Sequence, residues 1–224
     1  VFMRFYTNAF VRGSYVYVRG HDFGKRFYDK IFYKPTLYEP SREKTKFTTI
    51  DGHPVKPKKF DSMSQCKDYI KKYEDVTGFT FYGSTLHAYT YLNERYGNDY
   101  DMEKIRIANI DIEVGSEDGF PEPEQANQPI TAITIKMKNK LYVMGTNNYQ
   151  NDRDDVYYIN CKSEHNLVDV FLKTWKKLDP DIITGWNIRF FDIPYLVNRI
   201  TKIFGDYKAE QLSPWGFILS LIHI

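Results

Sequence analysis

The sequence predicts an α+β or α/β chain in two parts, a β-rich N-terminal domain over residues 1–104 and a mixed sheet with helices over residues 105–224. Three observations carry that prediction. Short aromatic runs closed by Gly and Pro dominate the first part. A polar, turn-prone stretch, Gly97-Asn98-Asp99-Tyr100-Asp101, separates them from longer Ile-rich runs. Beyond it the order is several strands, a helix, a short strand and a second helix. With 224 residues, 42% hydrophobic and 27% charged, the chain has the composition of a folded soluble protein with room for two cores.

In the first part, residues 14–19 (Ser-Tyr-Val-Tyr-Val-Arg) read as a strand closed by Gly20, and Ile31-Phe32-Tyr33 as another stopped by Pro35. A helix begins near Ser62, because Ser62-Met63-Ser64-Gln65 has the form of a capping box, and Gly78 ends it. In the second part, residues 105–114 alternate with period two. Ile110, Ile112 and Val114 share one face of that strand, and Asp111 and Glu113 share the other. Residues 130–137 and 141–144 follow, turned by Lys138-Asn139-Lys140, and with residues 155–159 they predict an antiparallel meander. A helix over residues 164–177 sets Leu167, Phe171, Trp175 and Leu178 on one stripe, with Lys176 and Lys177 at its C-terminal end. Residues 181–184 read as a short buried strand ended by Gly185. A helix from Pro194 carries Leu196, Val197, Ile200 and Ile203 until Gly205.

The net charge of +2 hides an uneven distribution. Residues 1–60 hold 13 Lys and Arg against 5 Asp and Glu, whereas residues 111–129 hold six acidic side chains and no basic one. A basic front suits phosphate, and an acidic patch suits a cation. Aromatics reach 17%, which suits either base stacking or an aromatic core. Cys66 and Cys161 alone support neither a disulfide framework nor a Cys-based zinc site, and a reducing cytoplasm is the simplest compartment. No signal peptide is read. The apolar residues 217–224 fall far short of the roughly 20 needed to span a bilayer, so no membrane partner is expected.

Asp111 and Glu113, two residues apart on one strand face, have Cα atoms about 6.6 Å apart from strand rise alone. Their oxygens can therefore share one hard divalent cation, or both can simply face water from an amphipathic strand. Asp192 stands where a buried strand hands over to a helix, a place where ligands gather. It equally suits a helix start, favoured by capping and by the helix dipole, and Asn187 equally suits a turn.

Asn109-Ile110-Asp111-Ile112-Glu113-Val114 is similar to the first exonuclease motif of family B DNA polymerases. Thr184-Gly185-Trp186-Asn187 through Phe191-Asp192-Ile193-Pro194-Tyr195 resembles the second. Asp118-Gly119-Phe120-Pro121-Glu122-Pro123, Tyr33-Lys34-Pro35-Thr36-Leu37-Tyr38, Arg199-Ile200, Ile203-Phe204-Gly205 and Leu212-Ser213-Pro214 extend the likeness to the replicative polymerases of T-even-type phages and their marine relatives. The resemblance implies the N-terminal domain of such a polymerase followed by a ribonuclease-H-like 3′→5′ proofreading exonuclease domain, truncated before its third motif. It implies two ions of Mg²⁺ or Mn²⁺ per intact site. Asp111 would bridge both, Glu113 would bind one and orient the attacking water, and Asp192 would hold the second.

By the same resemblance Phe120 would wedge against the terminal bases, unless it is a packing anchor, and Asn187 would touch the sugar-phosphate. The implied partners are single-stranded DNA or a primer 3′ end, RNA at the N-terminal domain, and, in the full-length protein, a polymerase domain and a sliding clamp. The implied compartment is the cytoplasm of an infected bacterial host. The family's third motif supplies a further aspartate and a tyrosine beyond the end of this chain, so weak or absent activity is expected, with self-association through the surface left uncovered. The tail from Phe217 departs from the family pattern and reads as a truncation artefact or an out-of-frame extension. Two other readings compete: a non-catalytic single-stranded nucleic-acid-binding module, and a nucleotide-sugar transferase using Asp111 and Glu113 for its metal. Neither accounts for the block from Gly185 to Asp192.

Overall fold

The computed structural model describes residues 4–116 and 119–218. Asp118 and residues 219–224 of the apolar tail lie outside the described residues. The chain divides into two compact units, one ending at Lys104 and the other starting at Ile105.

The first unit is rich in strands. β1 (Arg4–Arg12), β2 (Tyr15–Asp22) and β3 (Lys25–Phe32) form an antiparallel sheet with β2 in the middle. Phe23 and Gly24, both at positive φ, make the tight β2–β3 turn, because that backbone matches the twist of the strands. β4 (Thr36–Pro40), β5 (Phe47–Thr48) and β6 (Pro54–Lys59) form a second sheet in the order β4-β6-β5. α1 (Met63–Tyr73) buries Met63 and Cys66, and α2 (His87–Arg95) buries Tyr91 and Leu92. The capping box at Ser62 forms with one change. Ser62 Oγ accepts from the Gln65 N–H, while Gln65 reaches back to the N–H of Asp61 rather than that of Ser62. α1 stops at Tyr73, short of Gly78. Its buried stripe is spent there, and the β-branched Val76 and Thr77 do not favour another turn.

In the second unit, β7 (Ile107–Val114), β8 (Ile130–Met137), β9 (Lys140–Gly145), β10 (Val156–Asn160) and β11 (Ile182–Thr184) form a mixed five-stranded sheet in the order β10-β9-β8-β7-β11. α3 (Glu164–Leu178), α4 (Asp192–Phe204) and the short α5 (Asp206–Ala209) complete it. This is the ribonuclease-H-like arrangement of a mixed sheet with helices. Leu167, Phe171 and Leu172 of α3 and Tyr195, Leu196 and Ile200 of α4 bury the sheet face that carries Ile110, Ile112, Ile133, Ile135 and Met144. Ile218, from the start of the apolar tail, also packs against that core.

Two expectations are corrected. β10 runs parallel to β9, so the meander is antiparallel only from β7 to β9. Residues 146–155 are too long for a hairpin and carry the chain back to the end from which β9 started. β11 is exposed, not buried: Ile182 keeps 44% and Ile183 39% of their surface, because β11 is the edge strand and pairs only with β7.

One ion pair locks the connections together. Arg199 of α4 grips Glu164 of α3 with Nε–Oε1 at 2.8 Å and NH2–Oε2 at 2.7 Å, with side chains only 11% and 12% exposed. Its NH1 also donates to the carbonyls of Ala126 and Asn127, and Glu164 accepts from the Ile130 N–H. Arg199→Ala leaves a part-buried carboxylate and two carbonyls without their donor. The expected loss is about 3 kcal/mol of stability in the second unit, read by urea unfolding. In the first unit, Tyr69 donates to Glu39 and holds its carboxyl below the ordinary range, against burial and with help from Lys58 and Lys56. A carboxylate whose pKa is lowered by folding stabilises above its unfolded value and loses that contribution as pH falls. Glu39→Gln is expected to cost about 1–2 kcal/mol at neutral pH. The gap to the parent should close below about pH 4, as urea titrations across pH will read.

Candidate functional site

β7 presents its two faces differently: Ala108, Ile110 and Ile112 are buried, while Asn109, Asp111 and Glu113 are exposed. Across the sheet Asp111 faces Thr134 and Glu113 faces Ala132 on β8, both small, so nothing bulky on β8 stands over the carboxylates. The acidic pair therefore lies on an open sheet face.

The chain returns to this strand through residues 185–191. Gly185 leaves β11 so close to β7 that a Cβ on it would sit 2.5 Å from the Ile110 carbonyl oxygen and 2.4 Å from Ile188, a fit that glycine alone allows. Asn187 takes the left-handed region, φ 52°, and its carbonyl accepts from the N–H groups of Phe190 and Phe191, so its backbone closes a turn while its side chain stays exposed. α4 then begins at Asp192, two residues before the expected Pro194.

Asp192 does not cap its own helix through a neighbouring turn. Its Oδ1 accepts from the N–H of Ile112, 3.1 Å away and 80 residues earlier in sequence. Ile112 is the residue between Asp111 and Glu113, so this hydrogen bond draws the third carboxylate to the acidic strand. Asp192 is 4% exposed. Burial pushes its carboxyl up, the charge of Asp111 pushes the same way, and hydrogen bonds from Ile112 and from its own N–H oppose them. Asp111 thus adds like-charge repulsion at Asp192, which a divalent cation would offset, and carboxylate oxygens are the donors that hard cations take. The donor chemistry fits such an ion. Among the described residues, however, no group of three His, Cys, Asp or Glu side chains is gathered tightly enough to hold one.

Phe120 is 84% exposed, and its ring meets Phe191 at 5.5 Å, which in turn stacks on buried Tyr195. It is a solvent-facing ring resting on the start of α4 rather than a core anchor. Sequence reasoning missed what holds its loop. Tyr195 donates to the Gln128 carbonyl, Asn198 to Pro123, Arg199 to Ala126 and Asn127, and Lys202 to Gln125. The signal was present as a row of hydrogen-bonding side chains at helical spacing along one side of an apolar helix.

The DNA polymerase family B exonuclease-domain model matches residues 56–218. The DNA-directed DNA polymerase of Escherichia phage RB69 is 36% identical over 83% of this chain, and that of Enterobacteria phage T4 is 31% identical over 88%. A DNA polymerase of Archaeoglobus fulgidus is 27% identical over 74%. This chain spans about a quarter of the length of the two phage relatives, 24% and 25%, and 22% of the archaeal one. With the exonuclease-domain match covering most of its length, and with the mixed sheet and the Asp192 linkage described above, the chain belongs to the family B DNA polymerases and carries their exonuclease domain.

Proposed function

We propose that the second unit hydrolyses the terminal phosphodiester of single-stranded DNA from its 3′ end. The hydrogen bond from the Ile112 N–H to Asp192 is the observation that supports this most directly, because it ties Asp192 to the backbone between Asp111 and Glu113 across 80 residues of sequence. Asp111, Glu113 and Asp192 are the residues that would hold Mg²⁺ or Mn²⁺, which when bound promotes ionisation of water and neutralises charge on the phosphoryl group. Asp192, buried and tied to β7, is the fixed carboxylate. Glu113, exposed two residues beyond Asp111, is free to orient the attacking water. Water oxygen attacks phosphorus, the P–O3′ bond breaks, and a nucleoside monophosphate leaves a new 3′ hydroxyl. Phe120 offers an exposed ring for the terminal base, and Asn187 an exposed amide for the sugar-phosphate.

In the longer polymerase this region would act beside a polymerase domain and a sliding clamp, in the cytoplasm of an infected bacterium. The basic first unit would run beside the template or bind RNA. The exposed edge of β11, flanked by Trp186 at 91% and Phe190 at 71% exposure, supports self-association, which equilibrium sedimentation will read as a rising mass with concentration.

Asp192 separates a stability role from a functional one. Asp192→Asn keeps an acceptor for Ile112 and removes a buried charge, so in the absence of divalent ions it should stabilise the fold by about 0.5–2 kcal/mol. Asp192→Ala strands the Ile112 N–H and should cost about 1–3 kcal/mol. Both should lose Mn²⁺ uptake, read by calorimetry. The direct test is release of the terminal nucleotide from 3′-labelled single-stranded DNA. Release should require Mg²⁺ or Mn²⁺ and vanish in Asp111→Ala; release without a metal, or unchanged in the variant, would sink the proposal. Binding without release in either protein would favour a non-catalytic module.

A further inference from the structure

The open face of the second sheet extends well beyond the carboxylates. Directly paired residues on neighbouring strands project to the same side, so register lays this face out in rows. Asp111 faces Thr134, Thr134 faces Val143, and Val143 faces Tyr158. The next row runs from Asn109 through Lys136 and Leu141 to Val156. At the far end of both rows, over β9 and β10, a cavity of about 440 Å³ opens. Its lining includes Leu141, Val143 and Val156 from the strands, Tyr149 and Tyr158, and Arg153.

The two tyrosines are held for different reasons. Tyr158 donates its hydroxyl to the Asn147 carbonyl. It lies across Gly145, where a Cβ would come within 2.5 Å of that hydroxyl oxygen, so a side chain there would push the ring away. Tyr149, 60% exposed, meets Tyr158 at 5.3 Å with the rings tilted by 57°, leaving much of its own ring open. Arg153 is oriented by Asp155 through Nε–Oδ1 at 3.0 Å and NH2–Oδ2 at 2.7 Å. An apolar floor, an open aromatic ring and an exposed guanidinium paired with Asp155 suit a flat heteroaromatic group carrying hydrogen-bond acceptors.

The ground between this cavity and the carboxylates fits a nucleic-acid strand. Thr134 and Ala132 are small and half-buried, leaving a trough, and Lys136 is exposed beside it as a phosphate partner. Three strand spacings separate β7 from β10, about 14 Å, which a few nucleotides of extended strand can cross. None of the residues of this cavity takes part in the hydrolytic step described above.

We propose that the β9–β10 cavity is a subsite for a nucleobase of single-stranded DNA, a few nucleotides upstream of the 3′ end that lies at Asp111. The subsite rests on the exonuclease reading for the direction of the strand. It sets a minimum strand length for tight binding and couples that length to Tyr149.

The test uses the full chain with oligothymidylates from dinucleotide to octanucleotide. Each longer one carries 2-aminopurine at one internal position, and EDTA blocks hydrolysis. The parent protein should gain affinity with length, and 2-aminopurine fluorescence should fall only at the position that reaches the cavity. Tyr149→Ala should weaken the octanucleotide about tenfold and flatten the length dependence, while Tyr149→Phe retains it. Because Tyr149 is mostly exposed, thermal melts should show both variants folded. Val143→Trp, which fills the floor, should act like Tyr149→Ala. Equal octanucleotide affinity in parent and Tyr149→Ala, or no position-dependent quenching, would overturn the subsite. A separate assay in Mn²⁺ keeps the two readings apart. Nucleotide release without a length gain removes the subsite and leaves the exonuclease, whereas a Tyr149-dependent length gain without release removes the exonuclease and leaves a base-binding pocket.

Discussion

The hydrogen bond from the Ile112 N–H to the Asp192 carboxylate is the constraint that fixes the start of α4 against the acidic strand of the second unit. Beyond Asn109, β7 has outrun its pairing with β11, so the backbone on that side needs another acceptor. Asp192 supplies it. A carboxylate brought there is buried beside another carboxylate, and both effects raise the energy of its ionised form. The fold accepts that cost at one position and arranges the rest of the unit so that the position is held. Gly185 allows the approach, the Asn187 turn reverses the chain, and the apolar stripe of α4 seats the helix that starts at Asp192.

The polar side of α4 extends the same logic to the loop between β7 and β8. Arg199 joins α3, α4 and the loop in one part-buried network, and Tyr195, Asn198 and Lys202 satisfy further loop carbonyls. The backbone of residues 123–128, clamped this way, has carbonyls satisfied from the helix. Phe120 stands just before that stretch and shares Phe191 with the N-terminal end of the helix. The acidic strand, the exposed ring and the buried carboxylate are thereby referenced to one helix.

How much of this was legible in the sequence depends on whether the cause was local. The alternation of β7 and the amphipathic stripe of α3 are written in nearest-neighbour chemistry, and the structure follows them closely. β1 was not read, because Phe5, Tyr6 and Phe10 place aromatics on both faces and blur the period. α2 was missed because no side chain caps its start and its apolar positions are few. Parallel pairing of β10 and exposure of β11 are decided by neighbours far away in sequence, which no local pattern encodes. For the site, motif resemblance named Asp111, Glu113 and Asp192. Only the fold showed that Asp192 answers an unpaired backbone donor between the other two.

The clamp of α4 onto the β7–β8 loop also bears on how the unit is built during synthesis. Its hydrogen bonds join residues separated by 67 to 77 positions, as in Tyr195 to Gln128 and Lys202 to Gln125. Loop closure over such separations is slow compared with forming a hairpin or a helix. As the chain leaves the ribosome, β7, β8 and β9 can pair early, but the acidic strand keeps its third carboxylate at a distance until α4 has emerged and docked. A nascent chain therefore passes through a state in which the sheet has paired and Asp192 has not yet docked against the backbone of Ile112.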